Sequence, residues 1–457
     1  MPRLSPPLSQ LRDQNPGALQ RLAAPFLRLP ETMRGARNRL YNPATTFWLF
    51  LFQTLSADKS CAETVRAHLA TLAPTTKLMP SPDSGAYCKA RGRLAQRDLD
   101  QIATEQLALM QPQQDGLWRG RRVRLMDGSG LSMPDTPQNQ EKWPQPKGQK
   151  KGCGFPVMHL VALFSLASGA ILAWAQDALS VGERLLGQAL WKHLQGGDVL
   201  LADRGFCSFS EMWRLLGRGV DSVVRLHQRR QVDVRKSKRL GKNDWLVEWI
   251  KSGRCPKGVS PEAWAAMPQT LTLRQVSFSV DIPGWRSREI TVVTSLLDPR
   301  AFPARELTGL YRRRWQVELF LRDIKITMGM DVLRCKTPVM IVKELTMFLI
   351  GYNLLRALMN QAARLRRQRL ESISFKGSLG AFRQWASRLD GVVLLSEEHW
   401  EIVYWRLLDC MGAGKLPRRE GRHEPRARKR RPKNYPLLTK PRRLFVEVPH
   451  RNHYKLA

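Results

Sequence analysis

One acidic and several basic side chains recur at helical spacing between Tyr311 and Lys325. This segment contains no glycine or proline, so the sequence predicts an unbroken helix. At about 100° per residue, Tyr311, Arg314, Glu318 and Lys325 fall within an arc of about 60°. A stripe with an aromatic ring, two cations and one carboxylate suits holding a metal ion against a phosphate group.

A neighbouring face of this predicted helix is apolar and would dock on a protein core. Its residues are Val317, Phe320, Leu321, Ile324 and Met328. The alternative is a solvated surface helix, because Arg314–Glu318 and Glu318–Arg322 have the i,i+4 spacing of common ion pairs. Other parts of the chain therefore decide whether the stripe is functional.

Two further carboxylates follow apolar runs that are typical of buried strands. Val123–Met126 leads into Asp127, Val199–Ala202 leads into Asp203, and a glycine follows closely in both cases. We expect both acids at the ends of strands, where α/β folds place their sites. For each residue alone, the alternative is an aspartate that starts a turn.

Three converging carboxylates repel one another unless a cation neutralises them. Asp127, Asp203 and Glu318 offer hard oxygen ligands, and no cysteine or histidine cluster lies near them. These ligands favour Mg²⁺ or Mn²⁺. Two such ions about 4 Å apart would support in-line displacement at phosphorus.

The composition indicates a folded protein that binds a polyanion. The 457 residues are 43% hydrophobic, and 75 Lys and Arg against 39 Asp and Glu give a net charge of +36. Neutralised phosphates release counterions, so nucleic acid is the simplest partner, and no apolar anchor gathers the cations at a membrane. Seven cysteines without CxxC spacing predict free thiols in a reducing cytosol. No secretory signal is expected in residues 1–10.

Changes in pattern along the chain predict an α/β fold with five segments. These are an all-helical N-terminal domain (1–115), two parts of an α/β core (116–226 and 301–375), a β-rich insert (227–300) and a C-terminal region (376–457). Ser60 should cap a helix that ends at Leu72, and a strand hairpin should turn at Gly169. The basic helix after Ser84 suggests a helix-turn-helix-like DNA reader, with ordinary surface cations as the alternative.

The C-terminal segment from Lys415 to Ala457 carries 15 Lys and Arg against 3 Glu. Its cluster Arg426–Lys433 and its prolines suggest an extended arm on phosphates. A merely solubilising tail is the alternative.

The three acids and the spacing Tyr-x2-Arg-x3-Glu-x6-Lys resemble the bacterial insertion-sequence transposases of the DDE type, in the insertion sequence four family. Further stretches resemble this family, namely Asp58–Cys61, Gly85–Arg91, Gly148–Pro156 and Leu200–Phe206. The resemblance implies a ribonuclease H-like catalytic core interrupted by the β-rich insert. It also implies cut-and-paste movement of an element with terminal inverted repeats.

The resemblance also implies roles for individual residues. Asp127, Asp203 and Glu318 would bind the divalent metals, and Tyr311, Arg314 and Lys325 would contact DNA phosphates near the cleaved end. Further candidates for DNA contact, or else solvated cations, are Arg322, Lys147, Lys150, Lys151, Arg229 and Arg230. Trp285 is a candidate for stacking a flipped base, and a core or surface indole is its alternative.

The expected partners are double-stranded DNA and a second copy of the chain in a synaptic complex, with no membrane and no small-molecule cofactor. The expected compartment is the bacterial cytoplasm. Three other functions are compatible with the charge: a catalytically inactive, transposase-derived DNA-binding regulator, a basic RNA-binding protein and a host repair nuclease.

Overall fold

The computed structural model describes residues 17–33, 39–73, 79–110, 117–230, 235, 237–280, 289–389, 396–416 and 438–445. Within the described residues, helices precede and follow a mixed α/β region. The first helices are α1 (Ala18–Ala23), α2 (Pro43–Leu55), α3 (Cys61–Leu72), α4 (Gly85–Arg93) and α5 (Gln96–Leu109). As expected, Ser60 caps α3, since its hydroxyl accepts a hydrogen bond from the Glu63 amide at 3.1 Å.

The α/β region alternates strands with short helices. Its first part contains β1 (Val123–Ser132), α6 (Pro137–Lys142), β2 (Val157–Ser165), β3 (Ile171–Ala178), α7 (Glu183–Ala189), β4 (Val199–Ala202), α8 (Phe209–Leu216) and β5 (Asp221–Arg225). The predicted insert contains β6 (Lys238–Gly241), β7 (Asp244–Ile250), α9 (Pro261–Ala265), β8 (Thr270–Ser279) and β9 (Glu289–Thr294). The predicted α/β class is confirmed.

The nine strands of the described residues form one sheet in the order β3-β2-β1-β4-β5-β9-β8-β7-β6. Strand β1 pairs antiparallel with β2 and parallel with β4, and β4 is parallel to β5. The insert joins this sheet because β9 pairs with β5, with Val293 opposite Val224. The strands of the insert therefore extend the same sheet that carries the two predicted aspartates.

The predicted hairpin at Gly169 is confirmed and joins β2 to β3. Gly169 adopts a φ of +69°, a conformation that glycine reaches without the steric cost of a Cβ. The turn is fixed from outside, because the Tyr352 hydroxyl donates to the Gly169 carbonyl at 2.8 Å. Tyr352 belongs to a long helix, which thereby holds the end of the hairpin.

The second half of the chain is mainly helical. Its elements are α10 (Ala304–Arg312), a 3-10 turn (Arg313–Trp315), α11 (Gln316–Arg322), a π turn (Asp323–Thr327), α12 (Pro338–Leu365), α13 (Phe375–Leu389) and α14 (Glu397–Ala413). By length and composition α12 is the one helix of the described residues that could cross a membrane. In this fold, however, 78% of its apolar window is buried inside the protein.

Helix α12 joins the two ends of the chain, because α2, α5 and α14 all pack on it. The Gln106 side chain, for example, donates to the Ile350 carbonyl at 3.1 Å. The largest cluster of buried apolar side chains among the described residues includes residues of both α1 and α14. The helices that precede the sheet are thus folded against those that follow it.

The basic helix α4 presents only part of its charge to solvent. Tyr87 and Arg91 are buried and both donate to the Gln53 side chain, at 2.9 and 3.2 Å. Lys89 and Arg93 are exposed. These two cations are accessible to phosphates, and DNA reading by α4 stays a prediction.

Candidate active site

Strand pairing brings Asp127 and Asp203 to one edge of the sheet. In the parallel register of β1 and β4, Leu125 lies opposite Leu201. Continuing this register by two residues sets Asp127 at the level of Asp203. Strand β4 ends at Ala202, so no strand covers β1 on that side of Asp127. The two aspartates therefore lie at the same level, just beyond the end of β4.

The predicted position of Asp127 at a strand end is wrong, because it lies in the middle of the ten-residue strand β1. The chain does not turn at Gly128, since β2 continues to pair with β1 as far as Ser132. Asp203 does follow the end of its strand, as predicted. Its Oδ1 accepts a hydrogen bond from the Gly205 amide at 2.6 Å, so it also begins a turn.

Tyr311, Arg314, Glu318 and Lys325 form what we call the signature stripe, and the helical segment that carries them is the signature helix. This segment is helical from Ala304 to Thr327, but it is not a uniform α-helix. A 3-10 turn at Arg313–Trp315 and a π turn at Asp323–Thr327 change its winding. The prediction of an uninterrupted α-helix is corrected in this respect. The predicted apolar face is confirmed, because all of its members are buried: Val317, Phe320, Leu321, Ile324 and Met328.

Arg314 links the signature helix to the sheet. Its Nη2 lies 3.0 Å from Glu318 Oε1, and its Nη1 lies 3.7 Å from Asp127 Oδ2. One guanidinium thus bridges two of the three predicted acids. Arg314 also hydrogen-bonds Tyr311, whose burial raises the pKa of its hydroxyl to about 12, so this group stays protonated near neutral pH.

The acids act on one another electrostatically. Burial raises the pKa of Asp127 to about 7; Arg314 and the Gly128 amide oppose this shift, whereas the charges of Glu183 and Asp203 add to it. Repulsion of this kind is relieved when a cation binds the carboxylates. Their oxygen donors fit a hard divalent ion such as Mg²⁺.

This donor set is not assembled around an ion in the present arrangement. Across the part of the chain that the structure describes, no three His, Cys, Asp or Glu residues are grouped closely enough to hold one. Arg314 explains the separation, because its guanidinium lies between Asp127 and Glu318. The residues fit the ion by chemistry, and the Arg314 bridge has to open for Glu318 to join it.

Glu183 is a fourth carboxylate near the site that the sequence analysis missed. It is the first residue of α7, and burial together with the charge of Asp203 raises its pKa. An acid at the start of the helix that follows β3 was a usable signal. Strand β2 is antiparallel to both β1 and β3, so β1 and β3 run in the same direction. Their C-terminal ends therefore lie at the same end of the sheet.

Lys325 reaches the strand that carries Asp127. Its Nζ donates to the Ser129 hydroxyl at 2.6 Å and to the Gly130 carbonyl at 2.9 Å. All four members of the signature stripe therefore lie on the side of the helix that faces β1 and the acids. Their spacing in the sequence is explained by this common direction.

The other predicted DNA contacts lie outside this cluster, and none of them forms an ion pair with the three acids among the described residues. Exposed cations are Arg322, Lys147, Lys150, Lys151 and Arg229. Arg230 instead stacks on the Trp249 ring, 3.9 Å from its centroid. Trp285 and the cluster Arg426–Lys433 lie outside the described residues.

Two comparisons of the sequence with known proteins agree on one family. The family model described as "Transposase DDE domain" matches residues 118–354, a little over half of the chain. The transposase InsG for insertion sequence element IS4 of Escherichia coli (strain K12) is 27% identical over 328 residues, which cover 71% of each chain. A cryo-EM structure of the piggyBac transposase synaptic complex with hairpin DNA has a TM-score of 0.44 at 10% identity, covering 86% of this chain and 82% of that one. At this TM-score the structural likeness carries no conclusion.

Proposed function

The chain belongs to the DDE transposase family, and from this premise we infer that it is the DNA transposase of an insertion sequence. We propose that it binds the terminal inverted repeats of its element, cuts the DNA at these ends and joins them to a target by metal-dependent chemistry. The observation that carries this proposal is the bridge by Arg314 between Asp127 and Glu318, beside Asp203.

We propose that residues 116–226 and 301–375 form a ribonuclease H-like core, interrupted by the insert at 227–300. The strand order β3-β2-β1-β4-β5, with β1 antiparallel to β2 and parallel to β4 and β5, supports this assignment. The helices before residue 115 would bind DNA through exposed cations such as Lys89 and Arg93. The region from 376 onward would add phosphate contacts through its basic tail.

Asp127, Asp203 and Glu318 would hold Mg²⁺ or Mn²⁺, as two ions in each site. The ions would supply an activated water or 3′-hydroxyl and stabilise the leaving oxygen. Arg314 would be released to a DNA phosphate once the carboxylates that now hold it are engaged. The protonated Tyr311 hydroxyl and the Lys325 ammonium would donate hydrogen bonds to the phosphates beside the scissile bond.

Cut-and-paste chemistry on two element ends requires that both ends are brought together. We therefore propose that the chain acts as a homodimer in a synaptic complex with double-stranded DNA. The net charge of +36 supports binding to a polyanion such as double-stranded DNA. The protein would act in the bacterial cytoplasm, where the DNA lies.

The proposed function is tested by one assay with labelled end DNA and an unlabelled target plasmid. With Mg²⁺ we expect both cut ends and products joined to the plasmid, and chelation by EDTA should abolish both. Binding without cutting would instead identify a DNA-binding regulator. Cutting without joining would identify a nuclease of the repair type, and preference for RNA with indifference to Mg²⁺ would identify an RNA-binding protein.

A further inference from the structure

The carboxylate of Glu183 lies directly against the backbone of the strand that carries Asp127. A Cβ added to Gly128 would come within 2.3 Å of Glu183 Oε1 and 2.9 Å of its Cδ. Only a residue without a side chain permits this approach. The Gly128 amide also donates to Asp127 Oδ1 at 2.9 Å, so the two carboxylates meet at one residue.

A second glycine holds the helix of Glu183 close to both aspartates. Helix α7 begins at Glu183, and Gly187 is buried one turn later. A Cβ on Gly187 would lie 2.6 Å from the Phe206 ring and 3.2 Å from Met126. Met126 precedes Asp127, and Phe206 belongs to the turn that follows Asp203. The helix is therefore packed against the segments that present the two acids.

Glu183 has no cation partner in the described part of the protein, although the chain carries 75 Lys and Arg. Two other buried carboxylates of the described residues are neutralised by arginine. Asp198 pairs with Arg124 at 3.2 Å, and Asp244 pairs with Arg274 at 2.6 Å. An unpaired carboxylate held beside two others is unfavourable unless a cation binds there.

We propose that Glu183 is a fourth carboxylate ligand of the metal site, and that it acts on the divalent ion held by Asp127 and Asp203. This proposal rests on the proposed function, because it adds a ligand to the same site. Glu183 would increase the affinity for the ion once its carboxylate and those of Asp127 and Asp203, which are not grouped around one position in this structure, close on it. Gly128 and Gly187 are required because they let the carboxylate approach.

The test is the binding of Mn²⁺ to the full-length protein, measured by isothermal titration calorimetry. Glu183→Gln keeps the shape of the side chain and removes its charge, so we expect a loss of affinity of about 10- to 100-fold. Glu183→Asp keeps the charge on a shorter side chain and should lose less affinity. Glu306→Gln removes a carboxylate on α10 that pairs with Arg119, away from the site, and should bind Mn²⁺ as the wild type does.

The metal-free thermal midpoint separates a ligand from a structural residue. Removing a repelling charge should leave the midpoint of Glu183→Gln unchanged or raised, while the increase in midpoint caused by Mn²⁺ should shrink. A lowered metal-free midpoint together with wild-type affinity for Mn²⁺ would overturn the proposal. If Asp127→Asn lost affinity for Mn²⁺ while Glu183→Gln kept it, the role of Glu183 would be overturned. The proposed function would still stand in that case.

Gly128→Ala provides an independent check, because it displaces the Glu183 carboxylate without altering any acid. If the approach of Glu183 to Gly128 raises the affinity for Mn²⁺, then Gly128→Ala should weaken Mn²⁺ binding. Adding Glu183→Gln to Gly128→Ala should then weaken it little further. Full additivity of the two changes would contradict the proposed geometry.

Discussion

At the scale of single residues, the site stores negative charge that only one described cation, Arg314, partly balances. Its guanidinium contacts Asp127 and Glu318, whereas Asp203 and Glu183 have no ion-pair partner among the described residues. The Arg314 guanidinium lies between two of the acids, and in the proposed function a metal ion would take its place.

Replacing any one of the three predicted acids should abolish catalysis. Asp127→Asn, Asp203→Asn and Glu318→Gln each remove a metal ligand, so cleavage should fall by roughly 10³-fold or more. Binding to end DNA should persist in a gel-shift assay, because many other cations share the phosphate load. The control is Glu306→Gln, which should cleave normally. A substituted acid that still supports normal cleavage would be removed from the site.

The raised pKa of Asp127 predicts how stability depends on pH without metal. Its pKa is about 7 in the folded protein and near 3.8 when exposed, so between these values the folded state binds more protons than the unfolded state. Stability should therefore be highest at the acidic end of this window and fall as pH rises through 7. Urea titrations at several pH values give the free energy of unfolding as a function of pH. The slope of this plot should be smaller for Asp127→Asn than for the wild type. An unchanged slope would contradict the raised pKa of Asp127.

At the scale of elements, the signature helix is held in position because its apolar face is buried in the core. Ile324 is 1% exposed, whereas Ile326 in the same π turn is 64% exposed. Ile324→Ala should destabilise the protein by about 2–5 kcal/mol, and Ile326→Ala by less than about 0.5 kcal/mol. Urea unfolding of the two variants measures this difference. Equal effects would mean that the helix docks differently.

Several elements could be predicted from the sequence because their signals are local. The hairpin at Gly169, the cap at Ser60 and the apolar face of the signature helix each depend on residues a few positions apart. The full length of β1 could not be predicted, because pairing with β2 overrides the turn signal at Asp127-Gly128. The 3-10 and π turns leave no glycine or proline as a mark.

The structure brings several of the predicted site residues close together, and it adds a carboxylate that the sequence analysis did not name. The three acids and the signature stripe were identified by type, spacing and family resemblance. Glu183 was not, because an acid at the start of a helix is common, and its closeness to the site depends on how α7 packs against Gly128, Met126 and Phe206. Arg314 was predicted to contact DNA, and its present contact with the acids depends on the tertiary structure.

At the scale of the whole molecule, the positive charge should govern how the protein binds DNA. Removing residues 417–457 deletes 14 Lys and Arg but keeps the hydrogen bond from the Leu416 amide to the Ser372 carbonyl. Each DNA phosphate that the tail no longer neutralises should reduce the slope of log K against log salt by about 0.9. The control replaces the tail arginines by glutamine at constant length. An unchanged slope in the truncated protein would exclude a DNA role for the tail.

The most direct test of the whole account is the position of divalent ions in a crystal of the protein with its end DNA. Anomalous scattering from Mn²⁺ locates such ions independently of any assumption about ligands. We predict anomalous peaks bound by oxygens of Asp127, Asp203 and Glu318 beside the scissile phosphate, with Arg314 moved off the acids. Ions bound elsewhere, with the Arg314 bridge intact while DNA is being cut, would contradict the account.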